Sequence, residues 1–166
     1  MVLNAALLKS ERTDWNTPRL VVELVSKFGG GFIGLDPCWN EQSLTMPIYK
    51  YALPTNGLEC SWKNDGLVYV NPPYGREIGH WTEKACRQAE YGAEIVALVP
   101  ARTDTKWFQR DCFEGANAIC FWRGRLTFRG APAPAPFPSA LVYWGDRIEQ
   151  FYELFYPHGF VMALRR

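Results

Sequence analysis

The stretch Leu67-Val68-Tyr69-Val70-Asn71-Pro72-Pro73-Tyr74-Gly75 decides how the chain folds and where its site lies. Four apolar residues with no polar alternation have the pattern of a strand covered on both faces. The strand must end at Asn71, because two consecutive prolines fix the backbone and remove two amide donors. In open parallel sheets ligands bind beyond the carboxyl ends of the strands, so the tetrapeptide after Val70 occupies a site position.

Working outward, five more apolar runs are bounded by Gly, Pro, Asp or Asn: Phe32 to Leu35, Ile95 to Val99, Ala118 to Trp122, Leu141 to Trp144 and Phe160 to Leu164. Between them the apolar spacing is helical: Leu20, Val21, Leu24, Val25 and Phe28; Trp81, Ala85 and Ala89; Ile148, Phe151, Tyr152 and Phe155. Strands that alternate with helices predict an α/β fold with a mostly parallel central sheet flanked by helices. The first helix is expected to start with Thr17 as its cap and Pro18 at its first position, and to end at Gly29-Gly30-Gly31.

Two stretches lack helical or strand periodicity. Residues 37–66 read as loop with at most short strands, a length associated with functional loops. The tract Gly130-Ala-Pro-Ala-Pro-Ala-Pro-Phe-Pro138 reads as an extended connection, with the strand, helix and strand after it completing the same sheet. The expectation is one domain over 1–166.

With 48% hydrophobic residues the chain is neither disordered nor fibrous. The 18 basic and 17 acidic residues give a net charge of +1, so any polyanion must be held by a local basic surface. Such a surface is available: Arg123, Arg125 and Arg129 cluster with no acid between 115 and 145, and Arg76, Arg102 and Lys106 follow strand ends on the expected site edge. Phosphate contact is the functional reading of these six, and a solvated basic face the structural one. Five cysteines at wide spacings with two histidines indicate neither a disulfide framework nor a metal site, and are read as buried reduced thiols. No apolar run reaches the roughly 20 residues that span a bilayer. The start MVLNAALLKSER lacks the look of a secretory leader, so no membrane partner and a cytoplasmic location are expected.

The chemistry of Asn71-Pro72-Pro73-Tyr74 is specific. The Asn71 side-chain oxygen and the Pro72 carbonyl are convergent acceptors beside an aromatic ring, a combination suited to a planar group bearing NH2. An exocyclic amine is a poor nucleophile because its lone pair is delocalised. Two acceptors on its N–H groups draw the nitrogen toward tetrahedral geometry, while stacking on Tyr74 offsets part of the cost of extruding a base. A rigid strand-to-loop turn is the structural alternative for the tetrapeptide.

This tetrapeptide matches the motif of amino-methylating, S-adenosylmethionine-dependent DNA methyltransferases. The wider order resembles the small phage and prophage DNA N6-adenine methyltransferase (Dam-type) family: Asp14-Trp15-Asn16-Thr17-Pro18, Leu35-Asp36-Pro37, Trp62, Leu98-Val99-Pro100-Ala101-Arg102-Thr103 with Trp107-Phe108, Gly124-Arg125-Leu126-Thr127-Phe128 and Phe137-Pro138-Ser139-Ala140-Leu141. The resemblance implies a Rossmann-like methyltransferase fold that methylates adenine N6 in double-stranded DNA in a bacterial host, with S-adenosylmethionine as donor and no metal. It implies that Asn71 and Pro72 accept from the adenine amine, with Pro73 in the same catalytic turn and Tyr74 stacking on the base. Trp15, Thr17, Pro18, Asp36, Pro37 and Asn71 would lie on the cofactor side. The turn Asp36-Pro37-Cys38-Trp39-Asn40 departs from the family pattern in lacking glycine. Trp15, Trp62 and Trp107 are read as packing residues rather than base-stacking ones.

Other planar amines remain open as substrates on the same fold: cytosine N4, RNA adenine or protein glutamine. A catalytically inactive DNA-binding module is the alternative outside enzymes. Without room for a separate target-recognition domain, DNA contact would fall to residues 37–66 and 123–129. That arrangement implies a short target site or the help of a second subunit, as in a homo-oligomer.

Overall fold

The computed structural model describes residues 15–164. Asp14 and the start MVLNAALLKSER, with its expected lack of a secretory leader, lie outside them. The described residues form a seven-stranded sheet in the order β2-β1-β3-β4-β6-β5-β7. The strands are β1 (Leu35–Asp36), β2 (Tyr49–Lys50), β3 (Val68–Val70), β4 (Ile95–Pro100), β5 (Ala118–Trp122), β6 (Ser139–Trp144) and β7 (Gly159–Ala163). Helices α1 (Arg19–Phe28), α2 (Ile78–Glu90) and α3 (Ile148–Phe155) flank the sheet, with a π-helical turn at Phe108–Phe113 that no apolar spacing announced.

The sheet is mixed, which corrects the mostly parallel arrangement expected from the sequence. The β2-β1, β1-β3 and β3-β4 pairs are parallel, whereas β4-β6, β6-β5 and β5-β7 are antiparallel. The cause is the connection from β5 to β6. Residues 123–138 contain no helix to carry a crossover, so the chain turns back and enters antiparallel between β4 and β5. Every residue of β6 is buried, and continuous apolar runs look alike in either direction once both faces are covered.

One consequence of this topology positions the site. Because β5 is antiparallel to β6, and β6 to β4, β5 points the same way as β1 to β4. The carboxyl ends of five strands therefore open on a single edge, together with the starts of β6 and β7.

The core follows the apolar spacing in part: Leu20 and Tyr152, counted on the apolar faces of their helices, are exposed. Val21, Val25 and Phe28 of α1 are buried, and Phe28 meets Tyr143, Phe151 and Phe155 edge-on at centroid separations of 5.1, 5.7 and 6.1 Å. Helix α1 and helix α3 thus share one aromatic cluster against β6. The α1 C-terminus ends as expected, with Gly30 and Gly31 at φ 82° and 104° and their amides returned to Lys27 and Ser26 carbonyls.

Its start differs. Pro18 is the N-cap, no side chain caps the helix, and the Thr17 hydroxyl is committed elsewhere, to Tyr69 and Asn71. The last three elements, β6, α3 and β7, complete the same sheet, as the sequence suggested. None of the five cysteines is disulfide-bonded. Cys112 and Cys120 are buried thiols; Cys38, Cys60 and Cys86 are half-buried. No helix among the described residues is long and apolar enough to cross a membrane.

Candidate active site

At the carboxyl end of β3, Asn71 turns its side chain toward the segment before α1. Its Nδ2 donates to the Trp15 carbonyl at 2.5 Å and to Thr17 Oγ1 at 3.1 Å. A carbonyl only accepts, so the amide nitrogen must face Trp15 and the orientation of the carboxamide is determined. Asn71 Oδ1 is thereby turned the other way, and it is buried with no hydrogen-bond partner. Orphaned buried acceptors cost of order 1–3 kcal/mol and are found where an unmade contact awaits a ligand or water.

Thr17 holds this arrangement from beneath. Its hydroxyl shares a 2.8 Å hydrogen bond with Tyr69, the middle residue of β3. Burial pushes the Tyr69 phenol far above its ordinary range, so it stays protonated. A side chain the sequence assigned to helix capping therefore braces the amide of Asn71.

The second feature of the site is Asp36, at the end of β1 and 3% exposed. Its Oδ1 accepts from the Cys38 amide at 3.0 Å and its Oδ2 from the Thr45 hydroxyl at 2.6 Å. Burial outweighs these two bonds and lifts its pKa to about 6.

Asn71, Pro72, Pro73, Trp15, Thr17, Asp36 and Pro37 all line one cavity of about 500 Å³, within the range of small-molecule sites. The structure thus brings together most of the residues singled out from the sequence. Pro18 stands just outside, as the N-cap of α1.

Tyr74 does not line the cavity. It is 8% exposed, its hydroxyl donates to the Leu98 carbonyl at 3.1 Å, and its ring meets Phe128 and Phe137 edge-on at 6.0 and 5.6 Å. The same two phenylalanines pack on Trp15, at 5.2 and 5.3 Å. An aromatic floor of Trp15, Tyr74, Phe128 and Phe137 consequently supports the Asn71 turn.

The remaining wall comes from residues 37–57, which the sequence read as loop. It is a cross-braced structure. Asn40 accepts from Gln42 N at 2.9 Å through Oδ1 and from Ser43 N at 2.9 Å through its carbonyl, and its Nδ2 donates to Asn16 Oδ1 at 2.9 Å. Asn16, Asn40 and Thr45 are site residues the sequence did not reveal. Polar residues in a stretch without periodicity carry no mark of their partners; the Asx-type turn at Asn40 was the one available signal. Trp62 is a packing residue, as expected: its Nε1 donates to Gly57 O at 2.9 Å and its ring stacks on Trp81. Trp107 likewise packs on Phe108, at 5.3 Å.

The six basic residues are exposed and lie beyond strand ends on the cavity edge. Arg76, Arg102, Lys106 and Arg125 have no ion pair or hydrogen bond through their side chains among the described residues. Arg123 donates to the Pro157 carbonyl at 3.3 Å, and Arg129 to the Gln42 carbonyl. No group of His, Cys, Asp and Glu able to hold a metal ion occurs among the described residues.

Residues 4–138 match the family described as DNA N-6-adenine-methyltransferase (Dam). A relative from Escherichia phage T1, named DNA N-6-adenine-methyltransferase, is 33% identical over 97 residues, which are 58% of this chain and 40% of the relative. The matched stretch thus spans well under half of that relative's length. On the family match, which covers most of the sequence and both the Asp36 turn and the Asn71 motif, the chain belongs to the DNA N-6-adenine-methyltransferase (Dam) family.

Proposed function

We propose that this chain transfers a methyl group from S-adenosylmethionine to the N6 amino group of adenine in double-stranded DNA, through a Rossmann-like methyltransferase fold. The observation that carries the reading is Asn71 Oδ1: a buried, unpartnered acceptor, held in place by its own amide nitrogen, on a residue that lines a 500 Å³ cavity.

The cavity suits the donor. Asp36 offers a carboxylate to an ammonium or ribose hydroxyl, Trp15 an apolar wall, and Thr17 and Pro37 line the same cavity. When bound, S-adenosylmethionine supplies an electrophilic methyl on a positively charged sulfur.

Asn71 Oδ1 and the Pro72 carbonyl accept from the two N–H groups of the adenine amine, drawing its lone pair out of the ring and aiming it. The N6 proton departs after attack, so Asn71 orients and polarises without acting as a strong base. Pro73 stiffens the turn. Tyr74, anchored on Leu98, supports it from behind, and stacking on an extruded base requires the contacts of its ring with Phe128 and Phe137 to open. Arg76, Arg102, Lys106 and Arg125 face DNA phosphates from the same edge.

Asn71→Ala is expected to lower labelled-methyl incorporation into adenine-containing DNA by about 10²-fold or more, with binding of S-adenosylhomocysteine within a few-fold of wild type. Undiminished transfer by Asn71→Ala overturns the mechanism. Offering cytosine-containing DNA, RNA and protein as acceptors in the same assay checks the choice of adenine.

A further inference from the structure

The sequence groups Arg129 with Arg123 and Arg125 as a phosphate-binding cluster. Its contacts in the structure differ from theirs. The Arg129 guanidinium reaches across to the Gln42 carbonyl in the cavity wall. Its backbone amide donates to the Asn16 carbonyl at 2.8 Å, and the two residues form an isolated antiparallel bridge. Asn16, 3% exposed, in turn accepts the Asn40 amide at 2.9 Å. Three chain segments that are remote in sequence are therefore latched at one point: 15–17, which braces Asn71; 40–43, which walls the cavity; and the loop that follows β5.

From this convergence we propose that Arg129 is a positioning residue for the cofactor cavity, holding the 40–43 wall against the Asn16 segment instead of contacting DNA phosphate. The inference rests on the reading of the cavity as the S-adenosylmethionine site. The physical case is a matter of donors. A carbonyl in the middle of the β1–β2 loop gains a charge-assisted hydrogen bond from a planar guanidinium, and a guanidinium so engaged has fewer directions free for phosphate. Arg125, four residues earlier, has no such tie. Besides Arg129, the Asn40 side-chain amide ties the wall to Asn16 and Thr45 ties it to Asp36, while the bonds among Asn40, Gln42 and Ser43 are short-range; the Arg129 bond to Gln42 adds the charge-assisted tie at the tip of the turn.

The test is titration of S-adenosylhomocysteine into the full chain by calorimetry, comparing wild type with R129A, R129K and R125A. Amide hydrogen exchange over residues 40–45 is followed in the same proteins. R129A is expected to weaken binding about tenfold, the scale of one hydrogen bond to a charged group, and to speed exchange at Gln42 and Ser43. R129K, which keeps one donor within reach of a carbonyl, recovers most of the affinity. R125A leaves it unchanged. A phosphate-binding role gives the opposite pattern: R129A and R125A both lower the salt dependence of DNA binding, and neither changes cofactor affinity or exchange. Wild-type binding with an unaltered R129A overturns the inference alone. Absence of cofactor binding to the wild-type chain overturns the methyltransferase reading and the inference with it.

Discussion

Asp36 accepts two hydrogen bonds, from Cys38 N and Thr45 Oγ1, and still holds its proton to about pH 6 because burial dominates. The sign of the consequence follows from linkage. Between the unfolded value of 3.8 and the folded value near 6, the folded chain binds more protons at this group than the unfolded chain does. Stability must then fall as pH rises through that window, with the full cost present above about pH 6. Asp36→Asn removes the charge and nearly keeps the shape. It is expected to raise the stability of the ligand-free protein at pH 7.5 by about 2 kcal/mol, read by urea denaturation, with the gain vanishing by pH 4. The same variant should lose affinity for S-adenosylmethionine, because a neutral amide attracts an ammonium or ribose hydroxyl less than a carboxylate does. In the wild type, affinity is expected to decline below pH 6 as Asp36 takes up its proton. Gained stability together with lost ligand affinity is the signature of a group retained for binding.

At the scale of elements, the cavity wall between β1 and β3 depends on close approaches. Gly57 is buried, and a β-carbon there would sit 2.2 Å from the Pro37 carbonyl oxygen, a backbone atom that cannot swing away. Its own carbonyl is held by Trp62 Nε1 at 2.9 Å. Gly57→Ala is therefore expected to destabilise by about 1–3 kcal/mol and to open the Asp36 side of the cavity, seen as a lower Tm and a weaker S-adenosylhomocysteine complex. This wall also shows how far the sequence could be read. Helix α1 was legible because its buried residues recur at helical spacing and glycines with positive φ close it. Strands β3 to β6 were legible as apolar runs. Thr17 was misread because a hydroxyl before Pro18 is an equally good cap and brace, and only the tertiary position of Tyr69 and Asn71 decides between them. The π-helical turn at Phe108–Phe113 carries no periodic signal, and strand direction is invisible in residues buried on both faces. Of the site, the acceptor turn and Asp36 could be found because proline and a strand end mark them. The polar wall residues could not, since their bonds join segments far apart in sequence, as in the Asn40 to Asn16 contact.

For the molecule as a whole, a net charge of +1 allows little long-range attraction to DNA, so affinity must come from where the cations stand. The direction of the strands supplies the arrangement. Arg76 follows β3, Arg102 and Lys106 follow β4, and Arg125 follows β5; these three strands end on the edge that carries Asn71. Their side chains are exposed and unpaired among the described residues, so a phosphate meets them without first breaking an ion pair to any of those residues. If DNA is held at this edge as proposed, four such contacts are expected to give a slope of log K against log salt of about −3.6, with affinity falling by roughly 10²-fold between 50 and 200 mM salt. Each of Arg76→Ala, Arg102→Ala, Lys106→Ala and Arg125→Ala should make that slope shallower by about 0.9, alike for every DNA sequence, as measured by fluorescence anisotropy with a labelled duplex. Arg123→Ala should change it less, because its guanidinium already donates to the Pro157 carbonyl. A slope near zero would remove this edge as the DNA-binding surface. A slope well beyond about −5.4 would call for more cations than the six basic residues of this edge, and a second subunit on the duplex would supply them.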